Sequence, residues 1–222
     1  MSISGTLSIV ATPIGNLEDI TLRAIRVLKE ADAILCEDTR VTSKLLAKYE
    51  ISKPLIRCDE KMEAKAAQQA VEMLSEGKKL ALVSDAGTPG ISDPGARLVA
   101  RVRSEVPDAR IEAIPGPSAL TAALSIAGLE SEEFIFLGFL PHKKGRQTAI
   151  KAILASKVPV VLYESPHRVV KLLHELGDRE VSVGRELTKI HEEFLEGTAT
   201  EIIEMLEKNP EKIRGEFVVI IR

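Results

Sequence analysis

Short β-branched runs alternate along the chain with amphipathic stretches of helical period, a pattern that predicts an α/β fold. Residues 7–10 form the first expected strand, and Leu22, Ile25 and Leu28 stripe one face of a helix over 21–30. A second strand falls at 33–36, residues 43–49 lie in the next helix, and 55–57 is a short third strand. An Ala/Glu/Gln/Lys-rich helix spans 63–76, with Gly77 at its C-cap position. Residues 80–83 are the most apolar N-terminal strand, which places them centrally with both faces buried. Asp93 as N-cap and Pro94 at the first helical position predict a helix running through Val102.

The second half repeats the style. Strands are expected at 110–114, 134–137, 158–162, 180–186 and 217–221. Helices are expected at 118–126, ended by Gly128, and at 146–154. Ser165 and Pro166 start another helix, on which Val169, Leu172, Leu173 and Leu176 keep the i, i+3, i+4, i+7 stripe. Thr198 and Glu201 have capping-box spacing ahead of Ile202, Ile203 and Leu206. The turn Pro115-Gly116-Pro117 divides the chain into two α/β domains, 1–114 and 115–222.

Composition narrows the class. With 45% hydrophobic residues and a formal net charge of −3 over 222 residues, the chain is too apolar and too weakly charged to be disordered. No apolar run approaches the roughly 18 residues of a membrane span. Cys36 and Cys58 form neither a disulfide framework nor a metal pair, which fits a reducing cytoplasm. His142, His167, His174 and His191 lack metal-ligand spacing, so no metal is expected. Five Phe, two Tyr and no Trp leave little for stacking on unpaired bases, and the net charge sets up no global field for nucleic acid. Any RNA contact must then come from a local basic patch or a structured target.

Glycine and proline cluster at four expected strand ends: 12–16, 84–95, 115–118 and 163–166. In open α/β sheets ligands bind beyond the carboxyl ends of strands, and such loops hold main-chain groups toward a ligand. There is no GxGxxG after the first strand, no Walker A and no GxSxG elbow, so pyrophosphate binding and that hydrolase chemistry have no support. A site made of carbonyls and loop amides suits an amino-acid-like, partly cationic molecule.

These loops carry a resemblance. Residues 7–21, Cys36-Glu37-Asp38-Thr39-Arg40, the 84–95 loop, 114–120, Tyr163-Glu164-Ser165-Pro166-His167-Arg168, Glu186-Leu187-Thr188-Lys189 and Gly215-Glu216-Phe217-Val218 resemble, in order, the motifs of the ribosomal RNA small-subunit methyltransferase I family of the tetrapyrrole-methylase-like superfamily. The resemblance implies two α/β domains with an S-adenosylmethionine (SAM) cleft between them, in a homodimer. It implies methyl transfer to a cytidine ribose 2′-hydroxyl of small-subunit (16S) ribosomal RNA. Gly87-Thr88-Pro89 matches the superfamily's Gly-Asp-Pro loop, with Thr88 where many relatives carry Asp. Many members continue past the final strand, so RNA contacts made by that extension are not expected of residues up to Arg222.

Cofactor contacts are expected from Pro13, Ile14, Gly15, Asp85, Gly87, Thr88, Pro89, Ile91, Pro115, Gly116, Ser118 and Ala119, with Ser118 also an N-cap. Asp38 and Glu164 follow strand ends and are the expected proton acceptors, with Arg40 anchoring a phosphate or holding Asp38. Lys143, Lys144, Arg146 and Arg168 are the expected phosphate contacts on RNA. Two other functions fit the same residues: methylation of a small tetrapyrrole-like substrate, and a non-catalytic ribosome-associated binding module. The 36–40 and 163–168 motifs favour the RNA enzyme.

Overall fold

The computed structural model describes residues 5–222, which divide after Ser118 into two units. In the first, β1 (Thr6–Val10), α1 (Leu22–Glu30), β2 (Ala33–Cys36), α2 (Thr39–Lys48), β3 (Leu55–Arg57), α3 (Glu63–Ser75), β4 (Lys79–Val83), α4 (Ala96–Glu105) and β5 (Arg110–Ile114) alternate as the sequence period requires. The five strands form one parallel sheet in the order β3-β2-β4-β1-β5. Leu7 stands beside Leu80 on one side and Ile111 on the other. Alternate residues feed two cores. Leu7, Leu35, Leu80 and Leu82 pack with Leu74, Leu98 and Val102 on the side of α3 and α4. Val10, Ile34, Ala81 and Val83 pack with Ala24, Leu28 and Leu46 of α1 and α2. Burial on both faces is why β2 and β4 read as unbroken apolar runs.

Carboxylates set two of the helix starts. The second helix, which includes most of the expected 43–49, opens at Thr39, because the Asp38 carboxylate accepts from the Arg40 amide at 2.8 Å and caps it. Helix α4 opens at Ala96, with Gly95 rather than Asp93 at the N-cap and Pro94 outside the helix. The capping oxygen comes from another helix: Glu63 Oε1 accepts from the Gly95 and Leu98 amides at 3.0 and 3.4 Å. Gly95 sits at φ 126°, where a Cβ would stand 2.8 Å from Leu82 Cδ2, so only glycine fits.

The second unit contains α5 (Ala119–Ile126), β6 (Ile135–Phe139), α6 (Arg146–Leu154), β7 (Val160–Glu164), α7 (Val169–Leu176), β8 (Glu180–Arg185), β9 (Glu193–Thr198), α8 (Ala199–Lys208) and β10 (Phe217–Ile221). Its sheet is mixed, in the order β6-β7-β10-β8-β9, with only β6 and β7 parallel. Strand β9 is absent from the sequence reading: Glu193, Glu196 and Gly197 break its apolar alternation, and an edge strand needs only one partner. Leu162, Val183 and Val219 meet Leu172, Leu173, Ile202 and Leu206 in one core. Each such buried aliphatic side chain contributes about 1.5–3 kcal/mol. The capping box at Thr198 and Glu201 forms as expected.

The division lies after Ser118, four residues beyond the expected 114/115 boundary. The 115–118 turn stays with the first unit because the Thr88 hydroxyl donates to the Pro117 carbonyl at 3.2 Å and Gly116 lies against Ala11.

Candidate active site

A parallel sheet brings all its carboxyl ends to one rim, and in the first unit the loops there interlock through main chain. The Thr12 amide donates to the Gly87 carbonyl at 2.9 Å and the Gly87 amide returns the bond to Thr12 at 3.0 Å. The Thr12 hydroxyl donates to the Ser84 carbonyl at 3.0 Å, and the Ala11 amide to Ile114 at 3.2 Å. Three of the four turn-rich loops thus belong to this rim; the fourth, 163–166, ends β7 in the second unit. Pro13, Ile14, Gly87 and Pro89 are buried in the interlock, Asp85, Thr88 and Ser118 are half-buried, and Gly15, Ile91, Pro115 and Gly116 are exposed. Ala119 opens α5 of the second unit. Gly116 is small for a reason other than ligand approach: its Cβ would stand 3.1 Å from Ala11 Cβ, so it seats one loop on another.

Carboxylates crowd the same rim. Arg40, with a side chain 86% exposed, pairs with Asp38 at 2.5 Å. That guanidinium and the Arg40 amide hold the Asp38 carboxyl well below the usual carboxylate range. A carboxyl so held is a weak proton acceptor near neutral pH. Its neighbours shift the other way. Asp85 accepts from the Asp38 amide at 3.1 Å, yet burial and the Asp38 charge push its carboxyl up. Burial, then Asp85, Asp93 and Asp59, push Glu37 up as well. A hollow of about 430 Å³ is lined by Glu37, Glu60, Glu63, Asp93 and Arg97. The Ser84 hydroxyl, buried at the end of β4, has no hydrogen-bond partner among the described residues. Repelling carboxylates, loop carbonyls and an orphaned hydroxyl fit a cationic, amino-acid-like molecule. In sequence Glu37 reads as surface or cleft polarity at a strand end and Ser84 as a turn former, and neither is assigned a role, because burial and mutual repulsion depend on which strand ends meet.

In the second unit, Phe217 lies opposite both Glu164 and Arg185, and Phe139 opposite Tyr163, so the ends of β6, β7 and β8 share a rim. Glu164 is fully buried there. Its Oε1 pairs with Arg168 Nε at 2.7 Å and accepts from the Ser165 amide at 2.8 Å, while Oε2 faces Arg146 at 3.5 Å. Arg146, only 3% exposed, also pairs with Glu175 at 2.8 Å, and Arg168 donates to the Leu140 carbonyl at 2.9 Å. The expectation of Glu164 as proton acceptor is therefore corrected, since two guanidiniums and no open face surround it. Arg146 is corrected likewise: it ties α6 to α7 and cannot reach a phosphate. Arg168 serves mainly this network, whereas Lys143 and Lys144 are exposed. Among the described residues no group of His, Cys, Asp and Glu side chains is arranged to hold a metal, and no helix is long and apolar enough to cross a membrane.

The profile of the family "Tetrapyrrole (Corrin/Porphyrin) Methylases" matches residues 6–203. A Thermotoga maritima protein named "Ribosomal RNA small subunit methyltransferase I" is 46% identical over 221 residues, covering 98% of each chain. The chain belongs to this methyltransferase I family of the tetrapyrrole methylases. A Bacillus subtilis member is 43% identical, covering 98% of this chain and 75% of its own length. Among solved structures, cobalt precorrin-4 methyltransferase aligns with TM-score 0.70 at 21% identity, over 97% of this chain and 94% of its own. Diphthine synthase aligns with TM-score 0.73 at 15% identity, over 98% and 90%. These structures share the fold of the methyltransferase I family, and at such identity they speak of fold alone.

Proposed function

We propose that the chain transfers the methyl group of SAM to small-subunit ribosomal RNA, at a cytidine ribose 2′-hydroxyl, in the cytoplasm and as a homodimer. The observation that carries this reading is the 46% identity over 98% of both chains to a protein of that name. The acidic rim of the first unit supports it physically, since a sulfonium and an ammonium are the charges that such a rim attracts. The interlocked loops supply the holding groups: Pro13, Ile14 and Gly15 after β1, Asp85, Gly87, Thr88, Pro89 and Ile91 after β4, and Pro115, Gly116 and Ser118 after β5, with Ala119 next in chain. SAM, when bound, supplies a methyl group already activated on sulfonium, so no metal is required.

Proton transfer falls to this chain's own residues. Asp85 balances the bound cation. Glu37, with its carboxyl raised by burial and by Asp85, takes the hydroxyl proton better than Asp38 does. Arg40, anchored on Asp38, and Lys143 with Lys144 offer cations to phosphate oxygens.

Incubation with methyl-labelled SAM and small subunits lacking the modification tests the proposal. Label should enter the RNA and survive alkali in a dinucleotide, because a 2′-O-methyl group blocks cleavage at its own phosphodiester. Alkali-labile label, or label entering only a tetrapyrrole-like acceptor, overturns the reading.

A further inference from the structure

The loop between β8 and β9, residues 186–192, is built with unusual care for a surface connection. Glu186 and Thr188 both hold positive φ, 49° and 68°, a region that β-branched threonine rarely enters. Side chains brace the strain. Glu186 Oε1 accepts from Lys189 Nζ at 2.8 Å and from the Glu216 amide at 2.9 Å, and Lys189 also pairs with Glu216 at 3.1 Å. Gly215, at φ 90°, leaves room for the Glu186 carboxyl where any Cβ would collide with it. At the loop's base Arg185 is buried and donates to the carbonyls of Lys212 and His191 at 2.8 Å each. All this bracing presents Ile190, 98% exposed, and His191 beside it, to solvent.

A lone exposed aliphatic residue needs no explanation, but a strained and doubly anchored loop that displays one does. Its surroundings indicate the partner. The shared rim puts exposed Lys143 and Lys144 after β6, His167 after β7 and Arg214 before β10 on the edge that carries this loop. The loop's acids are tied down by local partners: Glu186 and Glu216 share Lys189, and Glu192 accepts from the Thr188 amide. Around the one apolar tip stand three exposed cations, Lys143, Lys144 and Arg214, on a protein whose net charge is −3. We infer that the 186–192 loop is an RNA-recognition segment, in which Ile190 packs against a ribose or base of folded RNA while the neighbouring cations meet phosphates. This rests on the proposed RNA substrate.

Paired substitutions at the tip test it: Ile190→Glu and Ile190→Arg, with binding to isolated small ribosomal subunits measured across salt. SAM affinity and the unfolding midpoint should be unchanged in both. Ile190→Glu should weaken subunit binding by at least roughly tenfold, whereas Ile190→Arg should match or exceed wild type, because the surface facing the tip is a polyanion. Variants both within about twofold of wild type, or both weakened alike, overturn the inference while leaving the methyltransferase reading intact. Wild-type protein that neither binds nor methylates subunits removes both.

Discussion

Replacing Arg146 by Met separates a structural from an RNA-binding role for this residue. Methionine keeps the length and most of the volume of the buried stem, so the loss is chiefly that of charge. It leaves the fully buried Glu164 with one cation instead of two, and Glu175 with none from α6. Removing one partner of a buried ion pair destabilises by about 3–5 kcal/mol. The lower end applies, because Glu164 keeps Arg168 at 2.7 Å and the Ser165 amide at 2.8 Å. A loss of about 3 kcal/mol moves a urea midpoint by roughly 1–3 M at slopes of about 1–3 kcal/mol per molar. Urea unfolding followed by far-ultraviolet circular dichroism measures it. The double variant Arg146→Met with Glu164→Gln should cost less than the sum of the single changes, since the two sites share one interaction. The salt dependence of subunit binding is the second readout. Lys143→Ala should lower its slope by about one, and Arg146→Met, at a residue that meets no phosphate, should leave it unchanged. Stability within about 0.5 kcal/mol of wild type, or a slope lowered as much as by Lys143→Ala, refutes the reasoning.

Burial pushes the Cys58 thiol up to about 12, and raises Cys36 as well, so neither should react with a thiol reagent at pH 8 until the protein is unfolded. The unfolded thiol ionises near its ordinary value of 9.0 while the folded one keeps its proton, so this contribution to stability is complete below pH 9 and lost as pH rises toward 12; calorimetric midpoints that rise over that window contradict it. Asp85→Asn should weaken SAM binding by roughly 10- to 100-fold, as for loss of a charged contact. For the wild type, affinity should start to fall at a pH above the ordinary carboxylate value, because protonated Asp85 and Glu37 no longer attract a cation; titration calorimetry in which affinity holds constant down to that ordinary value would sink this assignment. Glu63→Ala uncaps α4 from a distance and should cost about 1–2 kcal/mol by urea unfolding, a full helix-cap contribution.

Local chemistry was the legible part of this chain. The strands at 33–36, 55–57, 110–114 and 217–221 and the helix at 146–154 begin and end where period and turn residues put them. Errors arose where a distant group overrides the local signal. Asp93-Pro94 is a sound helix start in sequence, but the Glu63 carboxylate thirty residues earlier captures the Gly95 amide and moves the start. Arg146 stands among exposed lysines in sequence and looks solvated, yet Glu164 and Glu175 draw it inside. In sequence Glu164 looks like Glu37, a carboxylate at the end of a strand. Only tertiary pairing distinguishes the neutralised carboxylate from the one that others repel. Strand β9 is polar enough to pass for a loop, and its pairing with β8 gives it its form.

The position of β10 in its sheet constrains how the protein is made. It lies between β7 and β8, so the second sheet has a gap at its centre until Ile221 has been synthesised. β1 faces the opposite problem: it is made first, but its neighbours β4 and β5 start at Lys79 and Arg110. At roughly 5–20 residues per second, an apolar strand edge waits on the order of 4–15 s for its first partner. Both sheets thus close on late-arriving strands, and pairings of such high sequence separation are slow to form and open to intermolecular capture meanwhile. Yield on expression should therefore depend on translation rate and on holding chaperones more than on the stability of the finished fold.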